Sequence, residues 1–209
     1  MNESLRHRLS NLQKLHGWCW SEKAEDLAAI TLETKPALAV ELGVFGGRAI
    51  GAIAMACQHM GTGRCVGIDP WSKGAAIEGE AGSPHEEWWS KLDLEKIYRE
   101  CLTGLRQLGL ETVEIMRMND IQALPHFEDG SIDLFHSDSN HSRVVSERVT
   151  REWHRKIRVG GVVIMDDSEW ETQSEAVAIL KGKRDLGYEL IKEIVTPEKG
   201  SYIVSRRTS

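Results

Sequence analysis

VELGVFGGRAIGAIA, residues 40–54, reads as the end of a buried strand, a glycine turn and the start of an apolar helix. Glycine permits the tight turn and lets a ligand approach the backbone, and the N-terminus of the following helix presents free amides. The spacing is Gly43-x-x-Gly46-Gly47, which is not the dinucleotide pattern G-x-G-x-x-G. Upstream, Leu5, Leu9, Leu12 and Leu15 fall at helical spacing. Ser21 is placed to cap a second helix, in which Ala24, Leu27 and Ala28 share a face, and Pro36 stops it. Residues 1–35 are therefore read as N-terminal helices.

Downstream, the strand signal recurs. ALAVEL (37–42), CVGID (65–69), TVEIM (112–116), IDLFHSD (132–138) and GVVIMDD (161–167) are short apolar runs without clean alternation. That pattern suits strands covered on both faces, as in a parallel sheet. Helical stretches separate them; the clearest follows Arg143, with Val145, Val149, Trp153 and Ile157 at repeated i+4 spacing. Thr172-x-x-Glu175 reads as a capping box before a shorter helix. The last two runs, YELIKEIV (188–195) and SYIVSR (201–206), are joined by TPEKG alone, which makes an antiparallel hairpin. The expected fold is α/β: a Rossmann-like, doubly wound, mostly parallel seven-stranded sheet with a C-terminal antiparallel hairpin, formed by residues 1–209 as one domain.

Residues 71–90 stand apart, rich in glycine, tryptophan and acids between a strand and a helix. Ser83-Pro84-x-Glu86 is a capping box with proline at the first helical position, so a helix should start there. The stretch is read as a lid loop, with a solvated connector as the alternative.

Composition narrows the class. Of 209 residues, 41% are hydrophobic and 28% charged, which argues against disorder, and the net charge of −6 gives no support to a nucleic-acid partner. No apolar run approaches membrane-spanning length, which argues against a transmembrane helix. Cys19, Cys57, Cys65 and Cys101 form no C-x-x-C pair and are read as reduced thiols of a cytoplasmic protein.

The polar residues carry the functional signal. Each parallel strand ends in acids or amides: Glu41, Asp69, Asn119–Asp120, Asp138, and Asp166–Asp167. In open α/β sheets the ligand crevice lies outside the carboxyl ends of the strands, so these groups should converge. Asn119 and Asp120, taken alone, read as cap or turn residues. A carboxylate in the position of Asp69 can accept both hydroxyls of a ribose.

VELGVFGG followed by VGIDPW (66–71) resembles the first two cofactor motifs of class I S-adenosylmethionine-dependent methyltransferases. That likeness implies that Glu41, Gly43, Gly47 and Arg48 hold the methionine end and Asp69 the ribose. Trp71 or the Asn119–Asp120 segment would lie near the adenine. IDLFHSDSNHS (132–142) with VGGVVIMDDSEW (159–170) is similar to the small metal-dependent sugar and macrolide O-methyltransferases, which include macrocin O-methyltransferase and the cephalosporin hydroxylase-like proteins. By this resemblance Asp138, Asp166 and Asp167 bind a divalent ion, His141 is the base, and Asp138 borders both cofactor and metal. Three carboxylates in one crevice need a neutralising cation, and all-oxygen ligation suits Mg²⁺, with Mn²⁺ or Ca²⁺ as alternatives. The chain reads Asp138-Ser139-Asn140-His141 where that family often has Asp-Gly-Asp-His, which drops one charge beside the base.

The implied activity is methyl transfer to a hydroxyl of a small molecule, a sugar or glycosylated natural product, with a homodimer compatible. The alternatives are a catechol-type O-methyltransferase, a non-catalytic S-adenosylmethionine-binding protein, and a metal-dependent hydrolase, which would leave Glu41, the glycine turn and Asp69 without a role. His136, on the strand face of Asp138, reads as a packed, hydrogen-bonded histidine. His7, His16, His59 and His154 are placed on helices without functional signal, and Trp153 and Ile157 in the core. Trp18, Trp20 and Trp170 suit lid, core or substrate platform.

Overall fold

The computed structural model describes residues 1–79 and 84–209. The apolar runs form β1 (Leu38–Leu42), β2 (Arg64–Ile68), β3 (Glu114–Met116), β4 (Ile132–Ser137), β5 (Ile157–Asp166), β6 (Tyr188–Thr196) and β7 (Gly200–Arg207). They make one sheet in the order β3-β2-β1-β4-β5-β7-β6. β1 to β5 pair in parallel, and β7 runs antiparallel to both β5 and β6. The expected hairpin is therefore present, and its later strand is the inner one. Residue chemistry explains the choice. β7 is buried from Ser201 to Ser205, whereas β6 exposes Glu189, Lys192 and Glu193, charges that blunt a sheet edge.

Helices cover both faces. α1 (Glu3–Ser10), α2 (Ser21–Thr34), α3 (Arg48–Met60) and α6 (Leu94–Gln107) pack on Ala39, Leu134, Val162 and Ile164. α8 (Arg143–His154) and α9 (Ser174–Leu180) pack with the short α7 (Asp120–Ala123) on Val40, Leu42, Phe135 and Met165. Alternate residues of one strand thus face different helical layers, which follows from the two-residue strand period. α4 (Lys73–Ala76) and α5 (Pro84–Ser90) fall in the 71–90 stretch. α5 starts at Pro84 as expected, while Ser83 and its capping role lie outside the described residues.

Several boundaries differ from the sequence reading. The first helix gives way after Ser10 to a 3-10 turn over Asn11–Lys14, so Leu15 and His16 lie outside it. α2 begins at Ser21 itself, with Trp20 in the cap position and no side-chain cap bond. Ile157 does not extend α8. It opens β5, whose N-terminal end pairs with β4 through a register shift next to Gly160 and Gly161. Thr172 sits in a 3-10 turn, Glu171–Gln173, ahead of α9, and makes no capping bond. The competing demand is local: Gln173 Nε2 donates to the carbonyls of Asp166 and Asp167 at 2.8 and 3.1 Å, tying this turn to the end of β5.

Trp153 is fully buried under the sheet, stacked on Phe135 at 5.2 Å and tilted against Phe127 at 5.4 Å. Trp153→Ala should lower stability by about 3–5 kcal/mol, because the cavity it leaves cannot close against a rigid sheet. Urea denaturation checks this: the midpoint should fall with an unchanged slope.

Candidate functional site

The strand order turns back on itself between β1 and β4, and in such sheets this switch point opens a crevice at the carboxyl ends. Here the two strand ends nearly touch. The Asp138 amide donates to the Leu42 carbonyl at 2.9 Å, and Gly43 follows with φ +86°. A Cβ on Gly43 would lie 2.0 Å from the Asp138 carbonyl oxygen, so only glycine fits. Gly47, at φ +93°, caps α3, and a Cβ there would come 3.0 Å from Cys101 Sγ. Above these turns is a cavity of about 580 Å³ bordered by Glu41, Asp69, Asn119, Asp120, Asp138, Asp166 and Asp167. All five strand ends converge on it. Gly43, Arg48 and Trp71 also line it.

Register then builds a buried line of charge. Glu41 pairs with His136 across β1 and β4, and His136 pairs with Ile164 of β5, two residues before Asp166. All three side chains point to the face covered by α2. His136 Nδ1 lies 3.1 Å from Glu41 Oε1, and Nε2 lies 3.6 Å from Asp166 Oδ1. Burial works against charging the imidazole, but the two carboxylates outweigh it and raise its pKa to about 10. Burial also pushes Glu41 up to about 7, against the pull of His136. His136 is packed and hydrogen-bonded as expected, but it is also part of the charged site.

The sequence reading missed Lys23. Its ammonium reaches in from the first turn of α2, forms an ion pair with Asp166 Oδ2 and lies 3.6 Å from Asp138 Oδ2, with the side chain 3% exposed. Burial opposes its charge, but Asp166 and Asp138 reverse that and raise its pKa. Asp166 would be pushed up by burial, but Lys23 and His136 hold it well below the usual carboxylate range. The signal was present: Lys23, Leu27 and Thr31 form one buried i+4 row, and a lysine on such a row needs a buried partner.

These contacts test the fit of the expected divalent ion. His136, Asp138 and Asp166 offer donor atoms all within 4.8 Å of one another, compact enough for a metal. However, Lys23 already shares the carboxylates of Asp138 and Asp166. Asp167, the third expected ligand, has φ +50° and turns to His141, whose Nδ1 is 3.1 Å from its Oδ2. With the ammonium in place, the residues do not fit a divalent ion.

His141 is held from two sides. Nδ1 meets Asp167, and Nε2 lies 3.6 Å from Asp138 Oδ1 with no hydrogen-bond partner among the described residues. Burial lowers its basicity, but the two carboxylates more than offset this, raising its pKa to about 9. Asn140, in place of the family's acid, donates from Nδ2 to the carbonyls of Ala75, Ala76 and Glu78, fastening the 71–79 segment to the site.

The remaining expected residues take mixed positions. Asp69 accepts from the amides of Phe45 at 2.9 Å and Trp71 at 2.7 Å, and burial pushes its carboxyl up. Trp71 is buried, with Nε1 donating to the Phe45 carbonyl. Asn119 caps α7 and Asp120 pairs with Arg148 at 3.1 Å, so both have structural roles at the cavity edge. Arg48 donates from Nε to Leu15 O at 2.7 Å and through its other nitrogens to Gln13, pinning the N-terminal segment. Trp18 stacks on Phe45 at 5.0 Å and meets Trp88 at 5.3 Å, while Trp170 lies edge-on to His141 at 5.0 Å. Together they form an aromatic rim.

A family model described as a methyltransferase domain matches residues 40–168, from the middle of β1 to just past β5. The chain belongs to this methyltransferase-domain family. No curated protein matches it at the level of sequence. Among solved structures, the methyltransferase is similar to the O-methyltransferase TomG of Streptomyces achromogenes, at 16% identity and TM-score 0.64, covering 100% of this chain and 91% of that one. It is also similar to an O-methyltransferase of Bacillus cereus, at 13% identity and TM-score 0.65, covering 100% and 92%. The O-methyltransferase NovP is 22% identical with TM-score 0.65, covering 90% and 81%. At these identities the likeness establishes the fold, which is the Rossmann-like methyltransferase architecture expected from the strand order.

Gly43→Ala should disrupt the switch point, because the added methyl meets backbone rather than a movable side chain. We expect a loss of about 1 kcal/mol or more from the positive φ, plus the cost of the clash. A lowered urea midpoint, together with loss of the cavity's ligand affinity, checks it.

Proposed function

We propose that this methyltransferase uses S-adenosylmethionine to methylate a hydroxyl oxygen of a small, ring-bearing molecule. The observation that carries the reading is the charge of the cavity at the switch point: eight carboxylates against four lysines and arginines among its described lining residues. Such a wall suits a cationic sulfonium ligand, and no built anion cradle is needed for a nucleoside lacking phosphates. The solved neighbours support oxygen as the acceptor, since TomG, NovP and the Bacillus cereus protein are O-methyltransferases, with S-adenosylmethionine or its product in two of those structures.

In this reading Glu41, Gly43 and Arg48 border the methionine end, Gly47 shapes the turn beneath it without lining the cavity, and Trp71, Asn119 and Asp120 border the adenine. Asp69 receives the ribose hydroxyls; each of its oxygens keeps a lone pair beyond the amide it already accepts. S-adenosylmethionine supplies an activated methyl group on sulfur, so the chain mainly has to orient the acceptor and take its proton. His141 takes that proton on Nε2, the nitrogen without a hydrogen-bond partner among the described residues, while Asp167 holds Nδ1 and Asp138 stands 3.6 Å from Nε2. The Mg²⁺ that the resemblance implies has no step here, because Lys23 meets the same carboxylates.

The acceptor ring lies against Trp18, Phe45 and Trp88, whose faces suit a sugar or glycosylated natural product. A catechol would stack on the same rim, and comparing rates on sugar diols and catechols decides between them. Four buried, unpaired cysteines suit a reducing cytoplasm.

Calorimetric titration of S-adenosylmethionine should give saturable binding; no binding would overturn the reading. Transfer of labelled methyl to diols should follow. His141 is protonated below its raised pKa and accepts a proton only above it, so the rate should rise as pH increases through about 9. His141→Gln should remove that rise and lower the rate by about 10²–10⁴-fold, with cofactor affinity retained.

A further inference from the structure

We infer that Lys23 is the resident cation of the acidic cluster and occupies the position that the family resemblance gives to a divalent ion. The inference rests on reading this cavity as the methyl-transfer site. Three observations carry it. First, the Lys23 ammonium contacts the Asp166 carboxylate and lies 3.6 Å from that of Asp138, the two acids a metal would need. Second, Asp167 points at His141 rather than toward those two carboxylates, which leaves a metal short of its third acid. Third, the lysine sits where local physics disfavours it, on the buried row of α2 and in the first turn, where the helix dipole repels a cation. Partners elsewhere in the fold must hold it there, and Asp138 and Asp166 are those partners.

The consequence is a charge-balanced site built from the chain alone. Lys23 neutralises the carboxylates at the ends of β4 and β5 and lines the cavity, so an acceptor oxygen approaching Asp138 meets an ammonium. A compact divalent ion beside the buried ammonium would be repelled.

The test is Mn²⁺ binding by calorimetry to the wild-type protein and to Lys23→Met, with S-adenosylmethionine titrated into the same samples. Wild type should show no saturable Mn²⁺ site and no change in melting temperature with EDTA. Lys23→Met, which removes the ammonium shared by Asp138 and Asp166, should gain a Mn²⁺ site tighter than wild type by about a hundredfold or more. Should Lys23→Met fail to fold, Mn²⁺ should restore its folding. Saturable micromolar Mn²⁺ binding by wild type would overturn the inference. So would a Lys23→Met protein that gains no site, or an unfolded one that Mn²⁺ does not rescue. The cofactor titration keeps the two readings apart: failure of wild type to bind S-adenosylmethionine sinks the proposed function and leaves the metal result to be read by itself.

Discussion

Burying charge beneath a parallel sheet is the constraint around which the rest of the site is arranged. Glu41, His136 and Asp166 share one face of three adjacent strands, and Lys23 closes the line from the helix above. An isolated ion at such depth would cost several kcal/mol, so each member needs the others in register. A one-residue slip of β4 would turn His136 to the other face and strand two carboxylates. The pairing of β4 with β1 and β5 is therefore specified by electrostatics as well as by the apolar residues between them.

The same constraint couples the N-terminal helices to the crevice at the switch point. α2 packs as an amphipathic helix, but its first turn contributes the cation, so docking of this helix and completion of the site are one event. Arg48 reinforces the arrangement from the other side, holding Gln13 and Leu15 against the start of α3. The Asn140 side chain does for the 71–79 segment what Arg48 does for residues 13–15: it satisfies loop carbonyls and fixes the wall of the cavity.

A histidine between Asp138 and Asp167 and a lysine between Asp138 and Asp166 divide the acidic ends of β4 and β5 into two overlapping groups. The Asp138–His141–Asp167 group leaves one imidazole nitrogen without a hydrogen-bond partner among the described residues. The Lys23–Asp166–His136–Glu41 group runs from the cavity wall into the interior as a line of opposite charges. Asp138 belongs to both, at 3.6 Å from Lys23 and from His141, and links the two groups.

The fold was legible in the sequence because its signals are local: apolar runs of strand length, glycine turns, and an uninterrupted link from β6 to β7. The convergence of Glu41, Asp69, Asn119–Asp120, Asp138 and Asp166–Asp167 was legible too, since strand ends in a parallel sheet must share one side. Helix limits at Leu15, Ile157 and Thr172 were not, because hydrogen bonds and packing from distant segments displaced the local preference there. The place of β7 inside the sheet depended on burial of whole strands against each other. Above all, Lys23 and Asp166 are 143 residues apart, and only the tertiary structure brings them together. Sequence order carries the type and spacing of ionisable groups; which of them neutralise one another is decided when helix α2 settles on the sheet.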